Sequence, residues 1–236
     1  MYSTSNIFND MNAEAVALMQ RGNAKAAVKI LRRALFGLRQ DTNKPMAPQS
    51  ASFIPMAAAQ GVPIESVSVL HPYLDIKEAS TENIFAFYPR AFTLSPHQEA
   101  SQIAAVVLYN MALLHHAQGL LCKNKSGQVN VALLKQARDF YEAAQKIAFT
   151  NWAEPTFYNM YSLVLAIANN LGHIHSQTKS SLYDFSQMTT YLNYSVKLVS
   201  HPCVSSFVTE EDSEFFYLSI FTFMDSVSGL CLAPAA

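Results

Sequence analysis

The chain has 236 residues, enough for one large domain or a short array of repeats with a substantial core. Charged residues make up only 14% of it, against roughly 25% in ordinary soluble domains, and the formal net charge is −1. That balance argues against a general nucleic-acid binder, which needs a strongly basic face to displace counterions from phosphates.

In chain order, MYSTSNIFNDMN has neither a basic start nor an apolar run, so no signal peptide is expected. From Ala13 to Arg39 the pattern is helical and is interrupted at Arg21, Gly22 and Asn23, which predicts a helical hairpin over 11–39. The second half is amphipathic. Lys25, Lys29, Arg32 and Arg33 share one side, and Ala27, Ile30, Leu31, Ala34 and Leu38 take the other. The basic side reads as a solvated outer face rather than a membrane-docking one, although Phe36 on that side is left unexplained. Residues 40–62 are rich in proline and small residues and read as a long mobile loop.

Residues 63–95 hold the only strand-like material. ESVSVL (65–70) alternates apolar and polar. NIFAFYPRAFTL (83–94) is aromatic-rich but carries Pro89, which confines it to an edge or splits it. The expectation is a small hairpin, or two extended segments lying on helices. From 97 to 228 everything reads as helix, in segments 97–119, 131–148, 154–177, 182–200 and 209–228. Pro155 suits the first turn of its helix. Thr209 with Asp212 three residues on resembles a capping box, and Glu210, Glu211 and Asp212 suit a helix N-terminus, where capping accounts for them.

No run approaches the roughly 20 apolar residues of a membrane span. The nearest, FFYLSIFTFMDSVSGLCL, is broken by Asp225. Cys122, Cys203 and Cys231 are odd in number and widely spaced, which fits free thiols in a reducing compartment. The chain is therefore expected to be soluble and cytoplasmic, or nuclear.

Two helical stretches align with each other. YNMALLHHAQG (109–119) and NNLGHIHSQTK (169–179) match on Asn110 with Asn170, Met111 with Leu171, Ala112 with Gly172 and His115 with His175. Ala137, Tyr141 and Ala144 repeat the small-large-small spacing of Ala27, Leu31 and Ala34. Small residues let two antiparallel helices approach, and the large one fills the space between them. The pattern resembles the tetratricopeptide repeat, whose first helix carries Asn, then Leu-Gly, then Tyr, and whose second carries Ala-large-Ala; Gly22 stands at that family's turn position. The chain departs from the family in its period, since the two asparagines are 60 residues apart where one repeat takes about 34. It also carries an insertion around LLCKNKSGQVN, and YDFSQMTTYLNY lacks the small-large-small signature.

The resemblance implies a single domain over 1–236, mainly α, of stacked antiparallel helical hairpins with a long loop and a small strand-like segment at about 62–95. It further implies a non-catalytic scaffold that binds a peptide or helix of another protein on its concave surface. The candidate groove residues are Tyr109, Asn110, Leu113, His116, Asn169, Asn170, His173 and Gln177. In the family the matching asparagines hydrogen-bond the backbone of an extended peptide, for which an amide that donates and accepts is well suited. The alternative is that each ties its helix to a neighbour. On the groove reading, alanine at both Asn110 and Asn170 weakens partner binding and leaves thermal stability nearly unchanged. The lysine that clamps a terminal carboxylate in some members is replaced by Val106 and Ala166, so no such clamp is expected.

His173 and His175 lie about 200° apart around a helix, and His115 and His116 about 100°. Neither pair has the i,i+3 or i,i+4 spacing of metal-binding helices, so no metal or cofactor is expected. His115 and His175 read as filling against the partner helix, while His116 and His173 face the inner surface. The competing reading is a helical metalloprotein or enzyme built on His116 and His173, with Tyr109 or Glu142. Phosphate-cradling loops and nucleophile-elbow motifs are missing. Cys122, beside Lys123 and Lys125, reads as an ordinary exposed thiol.

Overall fold

A computed structural model describes residues 4–42, 65–69, 86–95, 98–122, 128–150, 160–178, 182–200 and 208–231. Among the described residues there are seven helices and two strands. The helices are α1 (Thr4–Gln20), α2 (Ala24–Thr42), α3 (Ala100–Leu121), α4 (Val131–Thr150), α5 (Tyr161–Thr178), α6 (Leu182–Val199) and α7 (Glu210–Cys231). The strands are β1 (Glu65–Ser68) and β2 (Arg90–Thr93). The fold is thus mainly helical with one small antiparallel sheet.

Local chemistry fixes the element ends. Gly22 adopts φ 73°, the left-handed conformation that closes α1. Its N–H donates to Met19 O and the Asn23 N–H to Leu18 O, which satisfies the last carbonyls of the helix. Asn23 then caps α2, its side chain accepting the Ala26 N–H at 3.2 Å. Asn130 does the same for α4 through Leu133 N–H, and Thr209 for α7 through Asp212 N–H. At the start of α3, Gln102 reaches back to accept the Glu99 N–H.

Helices next to one another in sequence pack in pairs: α1 with α2, α3 with α4, α5 with α6. The contacts α2–α3 and α4–α5 join the pairs, and α7 packs on α5 and α6. Ala27, Leu31, Ala34, Ala137, Tyr141 and Ala144, the two small-large-small sets, are all fully buried. His115 packs on Phe140 of α4, and His175 stacks on Tyr191 of α6. Both histidines therefore face the partner helix, as their positions predict. Lys25, Lys29, Arg32 and Arg33 are exposed, and Phe36 among them is 67% exposed.

Several boundaries differ from the sequence reading. α1 begins at Thr4 rather than near residue 11, and tertiary contacts hold its poorly periodic second turn. Phe8 packs against Gly37, and Asn9 donates to Ser95 O at 3.1 Å. α2 runs through residue 42, past the point at which the loop is expected to begin; residues 43–64, Pro155, Lys123, Lys125 and Cys203 lie outside the described residues. The described part of α5 begins at Tyr161.

The span reading also needs correction. α3 is long and apolar enough to cross a membrane, and 72% of that stretch is buried inside the protein. The helix is apolar around most of its circumference because it is covered on several sides: by α4, by α2, and by β2. Strand β2 pairs antiparallel with β1, Glu65 opposite Thr93 and Ser68 opposite Arg90. It starts directly after Pro89, where a residue without an N–H ends the ladder.

Candidate functional site

The run 86–95 lies across the first helices of the three pairs and is held by asparagine side chains. Asn110 of α3 accepts the Phe92 N–H at 3.0 Å and donates to Phe92 O at 2.8 Å. Asn170 of α5 treats Tyr88 identically, accepting its N–H at 2.9 Å and donating to its carbonyl at 3.1 Å. Each amide thus satisfies both backbone groups of one residue, and the two gripped residues are four apart. Asn12 of α1 adds a second donor to Phe92 O at 3.0 Å, and Asn169 donates to Ala86 O at 2.8 Å. Tyr109 closes the series by donating its hydroxyl to Arg90 O at 3.1 Å.

These groups support one another. Asn110 donates to Asn12 Oδ1 at 2.9 Å, and Asn170 to the Tyr141 hydroxyl at 3.0 Å. Asn12, Asn110 and Asn170 are completely buried, where an unmade hydrogen bond is costly, so the network fixes the position of the strand. Burial pushes the Tyr109 and Tyr141 hydroxyls well above the usual phenol range, so both stay neutral.

The side chains of the run are read by a second set of residues. Phe92 meets Tyr109 edge-on with ring centroids 5.0 Å apart, and Tyr88 stacks on Phe216 at 4.9 Å. Asp212, 1% exposed at the start of α7, accepts the Tyr88 hydroxyl at 2.8 Å and the Ser66 hydroxyl at 2.7 Å. Arg90 reaches the same place, pairing with Glu211 at 2.6 Å and with Asp212 at 3.4 Å. Burial and the Asp212 charge push the Tyr88 phenol far above its ordinary range. Helix capping alone therefore does not account for the acids at 210–214: Thr209 caps the helix, and Glu211 and Asp212 hold the strand.

On the other face of the run, Phe87 covers the inner histidines. His116 Nε2 and His173 Nδ1 are 2.9 Å apart, and the Phe87 ring lies edge-on to His116 with centroids 4.4 Å apart. Both imidazoles are buried, and burial lowers both pKa values, that of His173 to about 4. His116 Nδ1 has no hydrogen-bond partner among the described residues. A lone pair is cheaper to leave unpaired than an N–H, which assigns the His116 proton to Nε2, donating to His173. The Gln177 amide sits 3.4 Å from His173 Nε2.

Seven of the eight groove candidates thus converge on the strand or on the histidine pair beneath it, and Leu113 is buried in the same core. What fills the face is the protein's own chain, so an added peptide reaches Asn110 and Asn170 only by replacing residues 86–95. Glu142 stands apart, exposed and paired with Arg138 on α4. Among the described residues no three His, Cys, Asp or Glu side chains come together as metal ligands. Val106 and Ala166 are fully buried, and Cys122 is exposed.

The sequence reading missed Asn12, Asn9, Glu211 and Asp212. Asn9 and Asn12 had a signal, two amides at i,i+3 on one helix face, beside Phe8. The carboxylates had none, because their partners are more than a hundred residues away in the chain. Compared with known proteins, the chain matches no family model, no curated protein and no solved structure.

Proposed function

We propose that the protein is a non-catalytic interaction scaffold, a divergent tetratricopeptide-like array whose concave face grips an extended protein segment. In the free chain that segment is residues 86–95, and a segment of a partner protein takes the same place in the complex. One observation carries the reading: Asn110 and Asn170, at matching positions of α3 and α5, each bond both backbone groups of one residue in a single run. An amide paired to N–H and C=O of the same residue recognises any extended chain, whatever its side chains.

Exchange is energetically open. Burial of Phe87, Tyr88 and Phe92 is worth about 1.5–3 kcal/mol each, and each side-chain hydrogen bond about 1 kcal/mol net. Release returns about 1–2 kcal/mol of backbone entropy per residue. The entropy regained offsets part of the loss, so the segment's departure costs less than unfolding the whole chain.

Native-state hydrogen exchange tests this. The amides of Tyr88 and Phe92 are expected to exchange through a local opening, well ahead of the α3 and α5 cores. If they exchange only with global unfolding, the face is a permanently closed core and the scaffold reading fails.

A further inference from the structure

The backbone grip would accept any strand, yet the run makes side-chain contacts that most sequences lack. Tyr88, Arg90 and Phe92 alternate along it and so share one side. Tyr88 puts its hydroxyl on the buried Asp212, Arg90 divides its guanidinium between Glu211 and Asp212, and Phe92 fills a fully buried place against Tyr109. Asp212 has one carboxylate oxygen on Ser66 and the other on the Tyr88 hydroxyl, which only a donor at that position of the run replaces, and the Asp212 and Glu211 charges are complemented by a cation at the third residue of the run Tyr88–Phe92. A strand with an apolar residue at the third position would leave a buried carboxylate without its cation, which costs far more than a lost surface pair.

Resting on the reading of this face as a segment receptor, we propose that it selects its ligand by side chain: an extended peptide with the spacing Tyr-x-Arg-x-Phe. Residues 88–92 are the intramolecular copy of that ligand, and the partner is a protein that presents the same spacing in an accessible segment. The carboxylates of α7 are the specificity-determining groups, and the asparagines supply sequence-independent grip. The tethered copy is present at an effective concentration on the order of millimolar, so a free peptide competes visibly only when the tethered copy is weakened.

The experiment therefore uses the full chain carrying Arg90→Ala, with Tyr88→Phe as a second, milder variant. Circular dichroism checks that each is folded. A fluorescent peptide of residues 86–95 is titrated in and followed by anisotropy, beside peptides changed by Tyr88→Phe, Arg90→Gln or Phe92→Ala. The parent peptide is expected to bind the weakened chain, and each changed peptide to bind about tenfold or more weakly. Asp212→Asn in the receptor should remove the preference for tyrosine and arginine.

Binding of all four peptides within about twofold would overturn the spacing rule and leave the receptor reading standing. No binding of any peptide to either folded variant would overturn both. A concentration-dependent dimer of the unaltered chain would make a second copy the occupant and overturn the assignment to a partner protein.

Discussion

Replacing Asn170 by alanine is the most direct challenge to the arrangement, because one side chain there serves two buried backbone groups. The substitution leaves the Tyr88 N–H, which donates at 2.9 Å, and the Tyr88 carbonyl, which accepts at 3.1 Å, with no other partner in the network. An orphaned buried polar group costs about 1–3 kcal/mol, so the pair costs about 2–6 kcal/mol. The Tyr141 hydroxyl also loses the donor 3.0 Å away. Against a total stability of about 5–15 kcal/mol, a central loss of about 4 kcal/mol is large. For a chain of this size it lowers the melting temperature by about 8–16 °C. Thermal melts by circular dichroism read the shift, and a urea titration checks that the midpoint falls at unchanged slope. Gln177→Ala, at the edge of the site, is the control, expected to stay within about 0.5 kcal/mol. This reverses the expectation from sequence, in which alanine at Asn110 and Asn170 spares the fold. Melting of Asn170→Ala within about 2 °C of the parent would refute the reasoning, since Tyr88 would then not be held by that amide.

The buried histidines make stability depend on pH. His173 titrates at about 4 in the fold against 6.5 in the free state, so the unfolded chain binds its proton first as pH falls. Its contribution is complete above about pH 6.5 and is lost on the way down to about pH 4, some 3 kcal/mol, with His116 acting in the same direction. Urea midpoints between neutral and acid pH should fall accordingly, and His173→Gln should flatten the curve; a parent protein insensitive over that range would contradict the burial of the pair. Tyr88→Phe removes one hydrogen bond to a buried carboxylate and is expected to cost about 2 kcal/mol, read in the same titration. Gly22→Ala places a side chain at φ 73° and should cost about 1–2 kcal/mol, whereas an unchanged midpoint would mean that the turn is relaxed elsewhere.

The helices were legible because their signals are local. Gly22 and Asn23 mark a stop and a start within two residues, and Ala27, Leu31 and Ala34 announce a close contact through spacing alone. The asparagines were legible as a pair because the same short pattern recurs around Asn110 and Asn170. Their ligand was not, since a face built to hold an extended chain has no local way of saying which chain it holds. The aromatic run around Tyr88 and Phe92 carried half of that information: it is strand-like, rich in large rings, and among the described residues has only four-residue β1 to pair with. A strand of that composition needs a second surface, and the polar positions of α1, α3 and α5 are what it meets. Asp212 was read from its neighbours as a capping acid, and local sequence gives no means of seeing Tyr88 across more than a hundred residues.

The same contacts explain why the run sits in one register. Asparagine amides bond any backbone, so they alone would tolerate a strand shifted along the face. A slip of one residue, however, places Pro89 at Asn170, where no N–H is available, and turns every side chain to the opposite side. Pro89 would then face Asp212, and the Tyr88 hydroxyl would enter the space above the histidine pair. The opposite slip sets Ala91 against Asn110 and exchanges the two sides in the same way. A slip of two keeps the sides but brings Arg90 where Tyr88 stacks on Phe216, burying a guanidinium among rings. Grip and register are thus separate properties of this face: the amides hold the run, and Asp212, the aromatic contacts and the placement of Pro89 fix its position along the face.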